Sequence, residues 1–488
     1  MSSKESTIET ILINEADLQQ LGNLVMPSGK ESIGLEQPKV VIDSRKVIGG
    51  EIFVALKGEN TDGHAFLNTV AERKASLAIV SHQYWATHQE ELPLMPLLVT
   101  SDPLETLQNL AKQYRKKFSI PVVALGGNSG KTTTKEMTAT VLRAYCHTLS
   151  TEGNLNNHIG VPMTLLGLRK ETEIAVIEMG MNHYDEMTEL CNIAAPTHGL
   201  ITNIGKAHIE YFGSIENVAN AEAELFEYLN ETEGSAFINT NDDLVLEKSE
   251  MVRHKILMAV KTPDWIMKRG GLKADVIAEE IGLNETGAVK MRISTGEKSF
   301  EIQLKMTGRH NIFNALSAAA VGLNFGVSPE SITRSLEQFE MAPALKRMVV
   351  FQESGITIIN DTYNANPESM RAGITALCDI QHSGKKVAIL SDMLELGNLS
   401  QSEHRAIGDF LNETKVDLLF TIGSWAEEIN NAAQVAIKMH FKTKAEVAEA
   451  LTNTVKAGDA LLFKGSRGMK VEEILDLFIK NIRNQKTA

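Results

Sequence analysis

The sequence predicts an α/β fold in three parts: a small N-terminal α/β domain, a central parallel sheet with an antiparallel extension, and a C-terminal doubly wound domain. Three observations predict it. Short apolar runs at Val122–Leu125, Ile174–Ile177 and Leu200–Thr202 alternate with helical periodicities, the texture of buried parallel strands joined by crossover helices. The same alternation returns after Pro343, with runs at Ile356–Ile359, Val387–Leu390, Leu418–Ile422 and Ala460–Phe463. The length of 488 residues is about three times the roughly 150 residues expected of one domain.

In order along the chain, the first hundred residues mix short strand-like runs (Lys39–Asp43, Ile52–Leu56, Leu77–Val80, Leu97–Thr100) with loops. A polar helix over Leu104–Phe118 leads to Pro121, where the parallel texture begins. Between Ala274 and Met306, turn residues at Asn284–Gly287 and Thr295–Glu297 separate three stretches that read as an antiparallel meander. Helices over His310–Phe325 and Pro329–Phe339 follow, and Pro343 marks a linker into a Rossmann-like unit. Boundaries near residues 115 and 344 divide the chain into 1–115, 116–343 and 344–488, and both linkers read as hinges.

Composition narrows the function. Hydrophobic residues make up 43% and charged residues 23%, which excludes global disorder. Forty-eight basic against 62 acidic residues leave a net charge of −14, so a general nucleic-acid or anionic-membrane binder is excluded, and anionic substrates need local cationic pockets. The opening 20 residues lack the apolar core of a signal peptide, and no run of about 18 apolar residues occurs. Cys146, Cys191 and Cys378 are odd in number and far apart, which fits a reducing cytoplasm rather than a disulfide or zinc framework.

The most informative segment is IPVVALGGNSGKTTTKEMTA. The apolar strand Ile120–Leu125 runs into Gly126, Gly127, Asn128, Ser129 and Gly130; Lys131, Thr132 and Thr133 then open a helix with Met137, Val141 and Tyr145 as its apolar positions. Glycines let backbone N–H groups close round phosphate oxygens, and the helix start adds positive potential. Lys131 can reach the β and γ phosphates, and the Thr132 hydroxyl can ligate magnesium. The longer G-x-x-x-x-G-K-[ST] pattern is missed by one place, because its first glycine falls on Leu125. Strand before, helix after and GKT in register nevertheless favour a P-loop over a glycine-rich turn with a solvated lysine.

Strand ends supply metal candidates. Glu178 closes the run Ile174–Ile177, and Leu200–Thr202 runs out towards His208; both lie where the carboxyl ends of parallel strands line a ligand crevice. Glu222 falls on the stripe Val218, Glu222, Leu225, Leu229 of a helix over Glu216–Leu229, where a carboxylate is costly unless paired or metal-bound. The stripe can equally be drawn through Ala221 and Phe226, leaving Glu222 at its margin.

Four segments together resemble the Mur ligases of peptidoglycan synthesis: the phosphate loop, TEGNLNNHIGVPMTLLGL from Thr151, IEMGMNHYDEM from Ile177 and GRHNIFNALSAAAVG from Gly308. DSRKVIGGEIFVALKGENTDGHAF, NDTYNANPESM from Asn360, SDMLELG and KGSRGM narrow the resemblance to the member that joins UDP-N-acetylmuramoyl-tripeptide to D-alanyl-D-alanine. The resemblance implies ATP and magnesium, an acyl phosphate made from the tripeptide carboxylate, and its capture by the dipeptide amine. It implies magnesium at Thr132 and near Glu178 and His208. It further implies Asn311 as the adenine reader, with Arg347 and Asp361 contacting phosphate and ribose. Ser44, Arg45, Asp62 and His64 match a pocket for the UDP end, and Asn154 and Asn157 match polar residues near the sugar-peptide and metals. Asn364, Asn366, Lys464, Ser466 and Arg467 match the region that orients the incoming dipeptide. A monomer without nucleic-acid partners or membrane insertion is the expectation.

One departure stands out. Many relatives carry a carbamylated lysine in the helix after the His208 loop, and VANAEAELF places Glu222 at that position. The expectation is that Glu222 supplies the negative oxygen directly, alongside Lys131, Glu178 and His208 as the catalytic set. The competing readings are another amide ligase (a sister Mur ligase or folylpolyglutamate synthetase), a P-loop switch or motor, and a non-catalytic binding homologue. Retention of Lys131, Thr132, Glu178 and His208 argues against the last.

Overall fold

The computed structural model describes residues 13–33, 35, 39–381 and 383–487. Part of the N-terminal stretch read for a signal peptide, residues 1–12, lies outside them. The described strands fall into three sheets of five, nine and six strands, and the chain resolves into two compact units.

The first unit comprises residues 1–124, 146–180 and 185–198. Its five-stranded sheet runs in the order Asn23–Val25, Leu97–Thr100, Leu77–Ser81, Ile52–Val54, Val40–Val41. The strand Asn23–Val25 pairs antiparallel at the edge and the others are parallel. Buried Val41, Phe53, Ala78, Val80 and Leu97 pack with Leu67 and Val70 of the neighbouring helix on one face. The helix expected over Leu104–Phe118 spans Pro103–Arg115, opened by Asp102, whose carboxylate accepts from the Leu104 N–H. The boundary expected near residue 115 is tightly tied rather than loose. Arg115 is 5% exposed, and its guanidinium donates to the carbonyls of Phe118, Ile120, Ala194 and Ala195. The same unit holds the parallel pair Thr148–Ser150 and Ile174–Glu178.

The second unit comprises residues 125–145, 181–184 and 199–488. Its meander is the antiparallel set Val276–Leu283, Ala288–Thr295 and Lys298–Thr307, turning where Asn284–Gly287 and Thr295–Glu297 predict. Two parallel strands that the sequence reading did not single out, Ser235–Asn239 and His254–Val260, lead into it. The helix after the phosphate loop stops at Arg143, and Tyr145 is 62% exposed rather than a core position.

The C-terminal sheet has the order Val349–Glu353, Ile356–Asp361, Ala460–Lys464, Lys386–Ser391, Leu418–Ile422, Ile437–Phe441. Alternation along its inner strands divides two cores: Ile359, Ala388, Leu390 and Leu462 face one, and Ile358, Val387, Ile389, Leu461 and Phe463 face the other. Helices cover both faces, the doubly wound arrangement that the apolar runs predict. The antiparallel edge strand Val349–Glu353 was not singled out from the sequence: it is only half-buried, and its apolar run ends at Phe351 with Gln352 and Glu353 completing the strand.

Candidate active site

The strand Val122–Gly126 is fully buried and delivers the chain into Gly127, at φ 111°, and Gly130, at φ 84°. Both positions demand glycine. A Cβ on Gly127 would sit 2.7 Å from the backbone nitrogen of Thr202, and one on Gly130 would sit 2.8 Å from Asn314 Oδ1. The helix Lys131–Arg143 then starts with no side-chain cap and no acidic residue in its first turn. Its N-terminal potential is therefore not cancelled by a carboxylate of the helix's own first turn.

Two residues hold the loop in this shape. The Asn128 N–H donates to the Asn203 carbonyl (2.9 Å), the Ser129 N–H donates to Asn203 Oδ1 (3.0 Å), and Asn203 Nδ2 and the Thr202 hydroxyl both donate to the Ser129 carbonyl (3.0 and 2.7 Å). The Thr134 hydroxyl donates to Asn314 Oδ1 at 3.1 Å, tying the helix to the segment carrying Asn311. The Lys131 ammonium donates to the Gly127 carbonyl.

Glu222 comes to the loop. It is 3% exposed on the helix Ile215–Glu231, and its Oε2 accepts the Gly127 N–H at 2.7 Å. Burial pushes its carboxyl above the ordinary range, while Lys131, that hydrogen bond and His208 oppose the rise. Val218, Ala221, Leu225, Phe226 and Leu229 are all buried too, so both stripes drawn from the sequence face the interior. His208 precedes the short helix Ile209–Phe212 with φ 59°, and its Nδ1 lies 2.7 Å from Glu395 Oε2.

In the first unit, Glu178 ends its strand 1% exposed, and Asn156 Nδ2 donates to its Oε1 at 2.9 Å. Asn154 and Asn157 are exposed, and Asn157 Oδ1 accepts from the Ile159 and Gly160 N–H groups, opening the next helix. Ser44 is buried in a 3₁₀ turn beside Arg45, whose guanidinium forks onto both Asp43 oxygens at 2.9 Å and holds that carboxyl down at about 2. Asp62 Oδ1 lies 2.6 Å from His64 Nδ1, and His64 Nε2 accepts the Ser81 N–H at 3.0 Å. Both nitrogens of this buried ring are therefore committed within the fold.

In the C-terminal sheet, Lys464 is 1% exposed and donates to Asp361 Oδ2 (2.5 Å) and to the Asn364 carbonyl (3.1 Å). Ser466 donates to the Ala365 carbonyl at 3.1 Å, and Asn364 Oδ1 accepts the Arg467 N–H at 3.3 Å. Arg347 lies 4.0 Å over the Tyr363 ring, with Arg467 at 5.7 Å. Asn366 caps the helix Pro367–Asp379 and reaches the phosphate loop, its Nδ2 donating to Asn128 Oδ1 and Ser129 Oγ at 3.0 Å. Asn311 is fully buried: its Nδ2 donates to the Thr307 carbonyl at 2.9 Å, and its Oδ1 accepts from Asn314 at 3.0 Å. Thr202, Asn203, Asn314, Asn156 and Tyr363 were not singled out from sequence as site residues. Tyr363 lay inside NDTYNANPESM, whereas spacing says nothing about a partner 74 residues away such as Asn203 for Ser129.

His310 adjoins this cluster. Burial lowers its pKa from 6.5 to about 4, with Asp361 opposing and Lys464 reinforcing the fall. The folded state thus favours the neutral ring. Its contribution to stability is complete above pH 6.5 and drains away as pH falls towards 4. The full shift corresponds to about 3 kcal/mol, an upper bound on that contribution. His310→Gln is expected to flatten the slope of unfolding free energy between pH 4 and 6.5, measured by urea titration at several pH values. An unchanged slope would sink the assignment.

A strand–glycine loop–helix cradle with a buried carboxylate on its backbone, followed by a doubly wound sheet, defines a P-loop class of phosphate-binding α/β protein. Within that class, residues 125–322 match the Mur ligase middle domain and residues 346–467 match the Mur ligase glutamate ligase domain. The chain belongs to the Mur ligase family. It is 34% identical to the UDP-N-acetylmuramoyl-tripeptide–D-alanyl-D-alanine ligase of Bacillus subtilis, over 91% of this chain and 93% of that one. The ligase of the same name from Escherichia coli is also 34% identical, over 91% and 94%. Among solved structures, MurF from Acinetobacter baumannii superimposes with a TM-score of 0.83 at 33% identity, covering 96% of this chain and 99% of that one. MurF from Thermotoga maritima in complex with ADP gives 0.78 at 27% identity, covering 93% and 99%.

Proposed function

We propose that the chain is an ATP-dependent, amide-forming ligase. It adds D-alanyl-D-alanine to UDP-N-acetylmuramoyl-tripeptide, giving the pentapeptide cell-wall precursor, ADP and phosphate. The observation that carries this reading is the phosphate loop shaped by Thr202 and Asn203, with Lys131 and buried Glu222 against it. It stands in a chain that matches ligases of that name over nine-tenths of its length.

Backbone N–H groups from Gly130 to Thr133 hold the ATP phosphates, within a loop whose Gly127, Asn128 and Ser129 N–H groups are tied to Glu222 and Asn203, and Lys131 neutralises charge as the tripeptide carboxylate attacks the γ-phosphorus. The bond to ADP breaks and an acyl phosphate forms. The dipeptide amine then attacks the acyl carbon, loses its proton, and expels phosphate. Holding the two reactants in line supplies much of the rate. Asn311 is assigned to the adenine site and His64 to the UDP end, each as a wall of its pocket in the present arrangement because its polar groups are held by Thr307 and Asn314 or by Asp62 and Ser81. Arg347 and Asp361 are assigned to phosphate and ribose, and Ser44, Arg45 and Asp62 to the UDP end. Asn154 and Asn157 are assigned to the sugar-peptide, and Asn364, Asn366, Lys464, Ser466 and Arg467 to the dipeptide. The allotment is 1–115 for the UDP-sugar, 116–343 for ATP and 344–488 for the acceptor.

Magnesium fits the donor chemistry. Among the described residues no three His, Cys, Asp or Glu side chains converge into an all-protein cage. Magnesium instead prefers one or two carboxylates or hydroxyls, substrate phosphates and water. Thr132, Glu178 and His208 would hold it, and bound there it would neutralise developing phosphate charge. The three cysteines are free, and no described helix is long and apolar enough to cross a membrane; a cytoplasmic monomer is the proposed state.

The test is ADP release from ATP and UDP-N-acetylmuramoyl-tripeptide with D-alanyl-D-alanine, diaminopimelate, lysine or glutamate offered separately. Only the dipeptide should raise the rate. Turnover independent of any acceptor would favour the switch or motor reading.

A further inference from the structure

The loop that carries His208 leaves the central sheet after the strand His198–Ile201; its start, Thr202 and Asn203, holds the phosphate loop, whereas from Lys206 onward it docks on the C-terminal sheet's layer. Ile209, 6% exposed, lies in the same apolar cluster as Met370, Leu390, Met393 and Leu396. The Glu210 N–H donates to the Glu395 carbonyl at 3.2 Å, and Lys206 donates to Glu403 Oε1 at 2.7 Å. At the centre of this docking, His208 Nδ1 and Glu395 Oε2 stand 2.7 Å apart. Both residues are non-glycine positions in the left-handed region, His208 at φ 59° and Glu395 at φ 66°. Such backbone is unfavourable on its own and persists where surrounding contacts over-determine it. Here those contacts come from the other sheet. A carboxylate on one imidazole nitrogen also fixes the ring's orientation and leaves the other nitrogen for whatever the ring serves.

We propose that Glu395 and Ile209 are positioning residues for His208: the C-terminal sheet, rather than the central sheet, fixes where that imidazole stands beside the phosphate loop. This rests on the ligase reading, in which His208 works at the phosphates. It makes the site incomplete whenever the two layers part, so chemistry is tied to docking of the acceptor-binding layer. Ile209 supplies the anchor and Glu395 the aim.

The test uses the full chain with Glu395→Ala, Glu395→Gln and Ile209→Ala. Hydrogen–deuterium exchange without ligands should rise about tenfold across residues 203–212 in Ile209→Ala and Glu395→Ala, while Ser235–Asn239 keeps its protection. In turnover, kcat should fall about tenfold in both variants with KM for ATP little changed, and Glu395→Gln, which keeps an acceptor, should recover most of it. Unchanged exchange in 203–212, unchanged kcat, or a Gln variant as slow as the Ala variant each overturns the proposal. If Ile209→Ala loosens the whole six-stranded sheet, the Glu395 pair decides, since that side chain is 40% exposed and its loss removes no core packing. Wild-type protein without acceptor-dependent ADP release would sink the ligase reading instead, and the exchange measurement would still judge the docking.

Discussion

Lys131→Ala is expected to lower kcat/KM for ATP-dependent ligation by about a thousandfold or more, the loss typical of removing a cation that meets developing phosphate charge. The lysine stands at the first position of a helix with no acidic residue in its own first turn, directly after Gly130. Its ammonium is now turned onto the Gly127 carbonyl, which keeps it over the mouth of the loop. Arginine should not rescue it, because a planar fork does not replace a compact point charge in a cradle of this size. The loop is shaped by Thr202 and Asn203, not by Lys131, so far-ultraviolet circular dichroism and melting should stay as in the wild type. A loss smaller than tenfold with folding intact would refute the phosphate assignment.

Glu222→Ala is expected to cost about a hundredfold in kcat, for two separable reasons. The Gly127 N–H loses its acceptor inside the protein, and the loop loses a buried negative oxygen beside Lys131. Glu222→Gln separates them, since the amide oxygen can still accept from Gly127 while the charge is gone. The expectation is that Gln is nearly as slow as Ala, because in the proposed reading the charge is the part that stands in for a carbamylated lysine. The carboxyl is pushed above its ordinary value by burial. The anionic form is therefore lost on acidification above the usual carboxylate range of about 4.3, and the acid limb of the kcat profile should disappear in Glu222→Gln. A Gln variant with near-full activity would reduce Glu222 to a loop support, and a bicarbonate requirement in the wild type would also count against the idea.

Much of this was legible in the residues because it is local. The strand into Gly127 and the helix from Lys131 follow from an apolar run, two glycines and a GKT triplet in register. The meander announced itself through turn residues, and the C-terminal strands through unbroken apolar runs buried on both faces. Elements lacking that signature escaped: the half-buried edge strand Val349–Glu353, and Ser235–Asn239, which begins and ends in polar residues. Tyr145 misled because helical period carries no information about where a helix stops.

The sequence by itself determined the α/β class, the phosphate loop with Lys131 and the family to which the chain belongs, all properties of short contiguous segments. Only the tertiary structure decided which distant groups complete them. It brought Glu222 onto the Gly127 N–H from 95 residues away and set Asn366 against Asn128 and Ser129. It committed both His64 nitrogens and the Asn311 amide to partners inside the fold, and it placed the His208 loop on the C-terminal layer. The reason is physical. Periodicity and turn chemistry record interactions within a few residues, whereas a buried polar group must find a partner wherever the fold supplies one.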